Sequence, residues 1–97
     1  MFFGLFKKKK DFAVEEGIFL GEVTHYFSKS KACVIKLTDS LSVGDMIYIK
    51  GHTTDFKEKV NSIQIDNEPI QNAKKGQSVG LAMKNRVRLK DKVYRLA

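Results

Sequence analysis

Three side chains in this sequence carry the intrinsic chemistry of catalysis: Cys33, His25 and His52. A thiol and an imidazole are the minimum for attack by a thiolate. A short turn, Ser28-Lys29-Ser30-Lys31, lies between His25 and Cys33, so adjacent strands could bring the two together. No local signature surrounds Cys33, however, and no third group is placed to orient the imidazole. Cysteine is also among the most buried residue types. The sequence therefore predicts a packed Cys33 and a chain that is not an enzyme. A metal site from His25, His52 and Asp55 is not expected either, because these residues lack the close spacing of ligand pairs. The single cysteine excludes an internal disulfide framework. There is no Gly-x-x-x-x-Gly-Lys-Ser/Thr loop, so no nucleoside triphosphate site is expected, and no cofactor is expected.

The stronger pattern is cationic. Residues 74–97 hold eight Lys and Arg against one acid, Asp91, which equals the net charge of +7 of the whole chain. A one-sided basic surface attracts polyanions. In the segment from Met83 to Lys90, the cations Lys84, Arg86, Arg88 and Lys90 alternate with Met83, Val87 and Leu89. If extended, it puts four cations on one face and apolar groups on the other. Such a stripe could track a phosphate backbone, and arginine suits bidentate phosphate contact. Lys29 and Lys31 in the first turn would add to it. The loop His52-Thr53-Thr54-Asp55-Phe56 offers hydroxyls, an imidazole and an aromatic ring, groups that bond phosphates and stack bases. The expected function is binding of RNA or a ribonucleoprotein surface through Lys29, Lys31, His52, Lys84, Arg86, Arg88 and Lys90. The alternative is a protein–protein interaction module with no direct RNA contact, in which the stripe only aids solubility.

These residues need a scaffold, and 97 residues support one domain. Eight Val and seven Ile against seven Leu favour strands, because β-branched side chains fit a pleated surface. Strands are expected at 18–27, 32–37, 46–50, 56–65, 70–73, 78–83 and 92–96, with Ile47 and Ile49 facing opposite to Tyr48 and Lys50. The only proline falls in the turn-like Asp66-Asn67-Glu68-Pro69. Within 56–65 the apolar parity switches from Phe56 and Val60 to Ile63 and Ile65, which requires a bulge or bend near Asn61-Ser62. Six or seven short strands argue a closed barrel or a sandwich. Residues 1–13 read as a separate arm, with Phe2, Phe3, Leu5 and Phe6 ahead of Lys7–Lys10. Four adjacent like charges favour an extended segment. Residues 1–10 could also touch a membrane surface, with the lysines on anionic headgroups. The order, apolar before basic, is the reverse of a secretory signal, so a cytoplasmic location is expected.

Four short motifs then suggest a family. Leu41-Ser42-Val43-Gly44-Asp45-Met46-Ile47 resembles the L-x-V-G-D-x-I segment in domain II of the translational GTPases, the second domain of elongation factor Tu and its relatives. Val60-Asn61-Ser62-Ile63-Gln64 is similar to its V-x-S-I-Q strand, and Ala73 to Leu81 to its A-x-x-G-x-x-V-G-L segment. Asp91-Lys92-Val93 resembles its last strand, with Lys90 where that family usually has glycine. The likeness covers about Ile18 to Leu96. It implies an all-β fold, a closed six- to seven-stranded Greek-key barrel over 14–97, to which the charge pattern adds a flexible basic arm at 1–13. It also implies contacts with transfer or ribosomal RNA, or with neighbouring protein domains. The Gly-Arg pair usual after the first strand is replaced here by Ser28-Lys29-Ser30-Lys31.

Overall fold

A computed structural model describes residues 17–96. The arm expected at 1–13, with its membrane contact, lies outside the described residues. Ten strands follow in order: β1 Ile18–Phe27, β2 Ala32–Lys36, β3 Leu41–Ser42, β4 Met46–Lys50 and β5 Asp55–Lys59, then β6 Ile63–Ile65, β7 Glu68–Ile70, β8 Asn72–Ala73, β9 Ser78–Ala82 and β10 Lys92–Arg95. Among the described residues no helix is long and apolar enough to cross a membrane.

Eight strands form one antiparallel sheet in the order β5-β4-β10-β1-β2-β9-β6-β7, and β3 pairs with β8 as a separate two-stranded sheet. The fold is therefore all-β, as expected, but the barrel is not closed. The sheet curls into a half-barrel whose end strands, β5 and β7, share no ladder. The reason lies in the chain between them. The expected long strand at 56–65 breaks at residues 60–62, and its halves, β5 and β6, sit toward opposite ends of the sheet. Val60 bonds back to the β3–β4 turn: its N–H donates to the Asp45 carbonyl at 2.8 Å and its carbonyl accepts from the Gly44 N–H at 2.8 Å. The break lets Val60 and Ile63 both point inward despite their opposite parity.

The curl itself comes from β1. Its first half, Ile18–Glu22, pairs with β10, and its second half, Val23–Phe27, pairs with β2. The register slips between Phe19 and Gly21 and again between Val23 and His25. Such irregularities bend a strand and increase its twist. Gly21 has φ of +136°, and a Cβ there would fall 2.5 Å from the Lys36 carbonyl oxygen, so only glycine fits the bend. Both halves of the sheet feed one core, with Leu20, Ile35, Leu41, Ile47, Ile63 and Leu81 almost completely buried.

One local expectation is corrected. The tight turn is Asp66-Asn67 alone, both with positive φ as a two-residue hairpin turn requires, and Pro69 stands in β7. That strand is a sheet edge, where a missing N–H costs nothing. Tyr48 lies opposite Ile47 and Ile49, on the same face as Lys57, yet is buried there, with its ring 6.3 Å from that of Tyr94 and its hydroxyl donating to Asp55 at 2.6 Å.

Candidate functional site

The segment from Met83 to Lys90, expected to be an extended stripe, is an irregular connection between β9 and β10. Two carboxylates shape it. Glu58 in β5 accepts from the Lys84 N–H at 2.8 Å and from the Asn85 amide at 3.4 Å. Asp91 accepts from the Arg88 N–H at 2.8 Å. Both acids are buried. A strand would have turned those N–H groups to a neighbouring strand; here side chains take them instead. The ends of the connection are tied to β1 and its turn. The Met83 N–H donates to the Lys31 carbonyl, the Lys90 N–H to the Val23 carbonyl, and the Val23 N–H to the Asp91 carbonyl. Lys90 sits at φ of +74°, a conformation that favours glycine. On the far side of Asp91, a Cβ on Gly51 would fall 1.8 Å from Asp91 Oδ1, so glycine at 51 makes room for the carboxylate.

The path of this connection creates a groove. It runs beside the second half of β1 and is lined by Thr24, His25, Tyr26 and Phe27 on one side and Arg86 to Leu89 on the other. Val87 points into the core, whereas Leu89 is 60% exposed and Phe27 52% exposed. Leu89 thus departs from the inward position that strict alternation assigned to it. The His25 and Phe27 rings stack with centroids 6.2 Å apart, and the Arg86 guanidinium lies 5.6 Å from the centre of the Tyr26 ring. The latter geometry is that of a cation–π contact. Residues 24–27 pair with β2 on one side only, and β10 stops at the level of Glu22. Among the described residues, no backbone bond outside the β1–β2 ladder engages 24–27. In an antiparallel pair, alternate residues direct their N–H and C=O groups away from the partner. Part of the backbone of this stretch therefore faces the groove.

Of the cations singled out from the sequence, Lys84, Arg86, Arg88 and Lys90 are all exposed along this connection. None makes an ion pair with a carboxylate among the described residues. Lys31 is exposed and joined to its start through the Met83 N–H. Lys29 is exposed in the β1–β2 turn and lines neither this groove nor the hollow beside it. His52 is placed elsewhere: it lines that neighbouring hollow with Lys50, Arg88, Lys90 and Lys92. The loop it belongs to is partly occupied with its own bonds. Asp55 accepts from the Tyr48 hydroxyl and from Lys50 Nζ at 2.9 Å, and these two bonds hold its carboxyl below the usual range. Burial, and then the bond to Asp55, pushes the Tyr48 hydroxyl up to about 12.

Cys33 and His25 do not meet. Cys33 faces the core at 1% exposure, opposite Tyr26 in the ladder, while His25 is exposed in the groove. Burial, and secondarily the negative charge of Glu58, pushes the Cys33 thiol up to about 12. Among the described residues there is no group of three His, Cys, Asp or Glu side chains able to hold a metal ion. The sequence reading missed Tyr26, Phe27 and the two buried carboxylates. Glu58 carried a signal, since it shares the inward parity of Phe56 and Val60.

With this geometry in hand, the fold can be compared with known proteins. It superposes on the crystal structure of the C-terminal domain of a Geobacillus thermoleovorans protein described as a U32 peptidase. The TM-score is 0.76 and the identity 16%, over 82% of this chain and 93% of that one. The selenomethionine form of that domain gives 0.74 over 78% of this chain and 96% of that one. In sequence, the chain is 38% identical over 78 residues to a Methanocaldococcus jannaschii protein named an uncharacterized protease, covering 79% of this chain and 19% of that protein. It is 33% identical over 85 residues to a Porphyromonas gingivalis protein named collagenase, covering 86% of this chain and 20% of that protein. The chain thus spans about a fifth of the length of the curated relatives it matches. No family model matches the chain.

These matches correct three expectations. The resemblance to domain II of the translational GTPases gives way to relatives named for proteolysis. Its motifs are turns and corners of a curled β-sheet, which proteins of unrelated task can share. The RNA or ribonucleoprotein reading, drawn from the basic segment and from that resemblance, gives way to the same relatives. The expectation of a chain outside enzyme families is overturned by the same relatives.

Proposed function

We propose that this chain is the β-domain of a peptidase of the kind its relatives are named for, and that it serves proteolysis by holding polypeptide. One observation carries this reading: 33–38% identity, over about four-fifths of the chain, to proteins named protease and collagenase. The match fills only a fifth of each relative. The remaining four-fifths is where we assign bond cleavage, because Cys33 is withdrawn into the core and protonated at neutral pH. This domain contributes a surface instead, and the groove between β1 and the β9–β10 connection is a concave surface where exposed apolar and cationic groups meet. The setting we assign is cytoplasmic, supported by an unpaired, buried cysteine that suits a reducing compartment.

The test is a domain replacement. The segment of the Porphyromonas gingivalis collagenase that matches this chain is deleted, and in a second variant replaced by this chain. Collagen hydrolysis is then measured for all three proteins. The expected result is loss of hydrolysis on deletion and recovery of most of it in the chimera. A deletion variant as active as the parent, or a folded chimera no more active than the deletion, overturns the reading.

A further inference from the structure

We propose that the groove beside Thr24–Phe27 receives an extended, acidic segment of polypeptide, which adds to β1 as a further strand. The inference rests on the peptidase reading for its choice of polypeptide as the ligand, and on the groove for everything else. A strand edge offers unpaired N–H and C=O groups, and an extended peptide satisfies them as a neighbouring strand would. β1 presents such an edge only at 24–27, where β10 no longer runs alongside and the connection has swung outward. Strand addition gives register and direction, while flanking pockets select alternate side chains. Here the flanking groups are of two kinds. Phe27 and Leu89 are the apolar contacts, both more than half exposed.

The second kind sets the charge of the ligand. Arg86 and Arg88 line the groove, and Lys84 and Lys90 stand on the same connection. None is neutralised by a carboxylate among the described residues. The one acid of this segment, Asp91, is buried with an oxygen turned to the Arg88 N–H, and Glu58 is buried beneath Lys84. The acids that shape the connection are thus hidden, and the cations face outward. Arg86 is held over the Tyr26 ring, so part of its ordering cost is met before a ligand arrives. A peptide in which acidic side chains alternate with β-branched or aliphatic ones matches this groove: carboxylates toward the guanidinium groups, apolar side chains against Phe27 and Leu89.

The experiment is fluorescence anisotropy on the full chain, with a short labelled peptide in which glutamate alternates with valine. Binding is expected, and it weakens as salt is raised. Arg86→Glu with Arg88→Glu weakens it by about tenfold or more, since a charge partner becomes a repulsion. Lys74→Glu with Lys75→Glu makes the same change in net charge far from the groove and leaves binding within about twofold. Peptides N-methylated at odd or at even positions lose donors on one edge or the other, so one set loses binding and the other keeps it. All of these substitutions are at exposed positions, and unchanged circular dichroism verifies the fold. Equal weakening by the two charge-reversed variants overturns the inference. So does equal binding of both methylated sets, absence of binding, or a single-stranded RNA of the same charge that binds more tightly and displaces the peptide. Failure here with a functional chimera removes the groove and leaves the peptidase reading. Peptide binding with a failed chimera does the reverse.

Discussion

Cys33 shows how burial decides the chemistry of a single residue. Its thiol would need to ionise to act as a nucleophile, and a site with almost no water and the Glu58 carboxylate nearby opposes that. The thiol value in the fold lies near 12, against an ordinary 9.0. A raised value means that the native state holds its proton where the unfolded state has lost it. The contribution to stability is therefore complete below pH 9 and is lost as pH rises toward 12. Iodoacetamide at pH 8 is expected to spare the native chain and to modify it rapidly in urea. Cys33→Val, which keeps the volume and removes the titration, is expected to lose less stability than the parent between pH 9 and pH 11 in denaturant melts. Rapid labelling of the native thiol would show that the site opens to solvent.

Among the elements, the β9–β10 connection depends on groups far away in sequence. Glu58 lies 26 residues before Lys84, yet it determines where the connection can run. Glu58→Ala leaves the Lys84 N–H and the Asn85 amide without their acceptor and is expected to cost about 1–3 kcal/mol. Chemical denaturation measures that cost, and faster hydrogen exchange at the Lys84 amide locates it. Glu58→Gln keeps an acceptor oxygen and is expected to recover part of the loss. An alanine variant as stable as the parent, with unchanged exchange, would mean that the connection holds its own shape. The groove depends on the same tie, because Arg86 to Leu89 lie just beyond it.

At the level of the whole molecule, β1 joins the two parts of the sheet to one core. Neither part can lose its packing without exposing the other. Ile35, fully buried in β2, reports on this. Ile35→Ala removes a large side chain from a closely packed site and is expected to cost about 2–5 kcal/mol. That is a large share of the stability of a small domain, about 5–15 kcal/mol. The remaining transition should stay single, with tyrosine near-ultraviolet and backbone far-ultraviolet signals melting together. Separate melts of the two signals would show that the halves are independent. The open edges of the half-barrel are blunted by composition: β7 carries Pro69, and β5 alternates Asp55, Lys57 and Lys59 outward.

Much of the scaffold was legible in the residues themselves. Strands β1, β2, β4 and β9 fall where β-branched alternation and turn residues placed them, and the parity switch between Val60 and Ile63 announced the break at 60–62. These are local properties, because side-chain alternation and turn chemistry act over a few residues. The exposure of the cations at 84, 86, 88 and 90 was legible too, since lysine and arginine remain hydrated unless a partner draws them in, but their alignment on one face was not. What only the tertiary structure decided is everything that rests on distant pairs. The alternation in Met83 to Lys90 was read as a strand, but no strand was there to pair with it, and two carboxylates from elsewhere in the fold took its N–H groups. Closure of the barrel failed for a related reason, as β5 and β7 end on opposite edges with no shared ladder. A periodic sequence states which faces a segment can offer. Which neighbour accepts its backbone hydrogen bonds is decided by the packing of the whole chain.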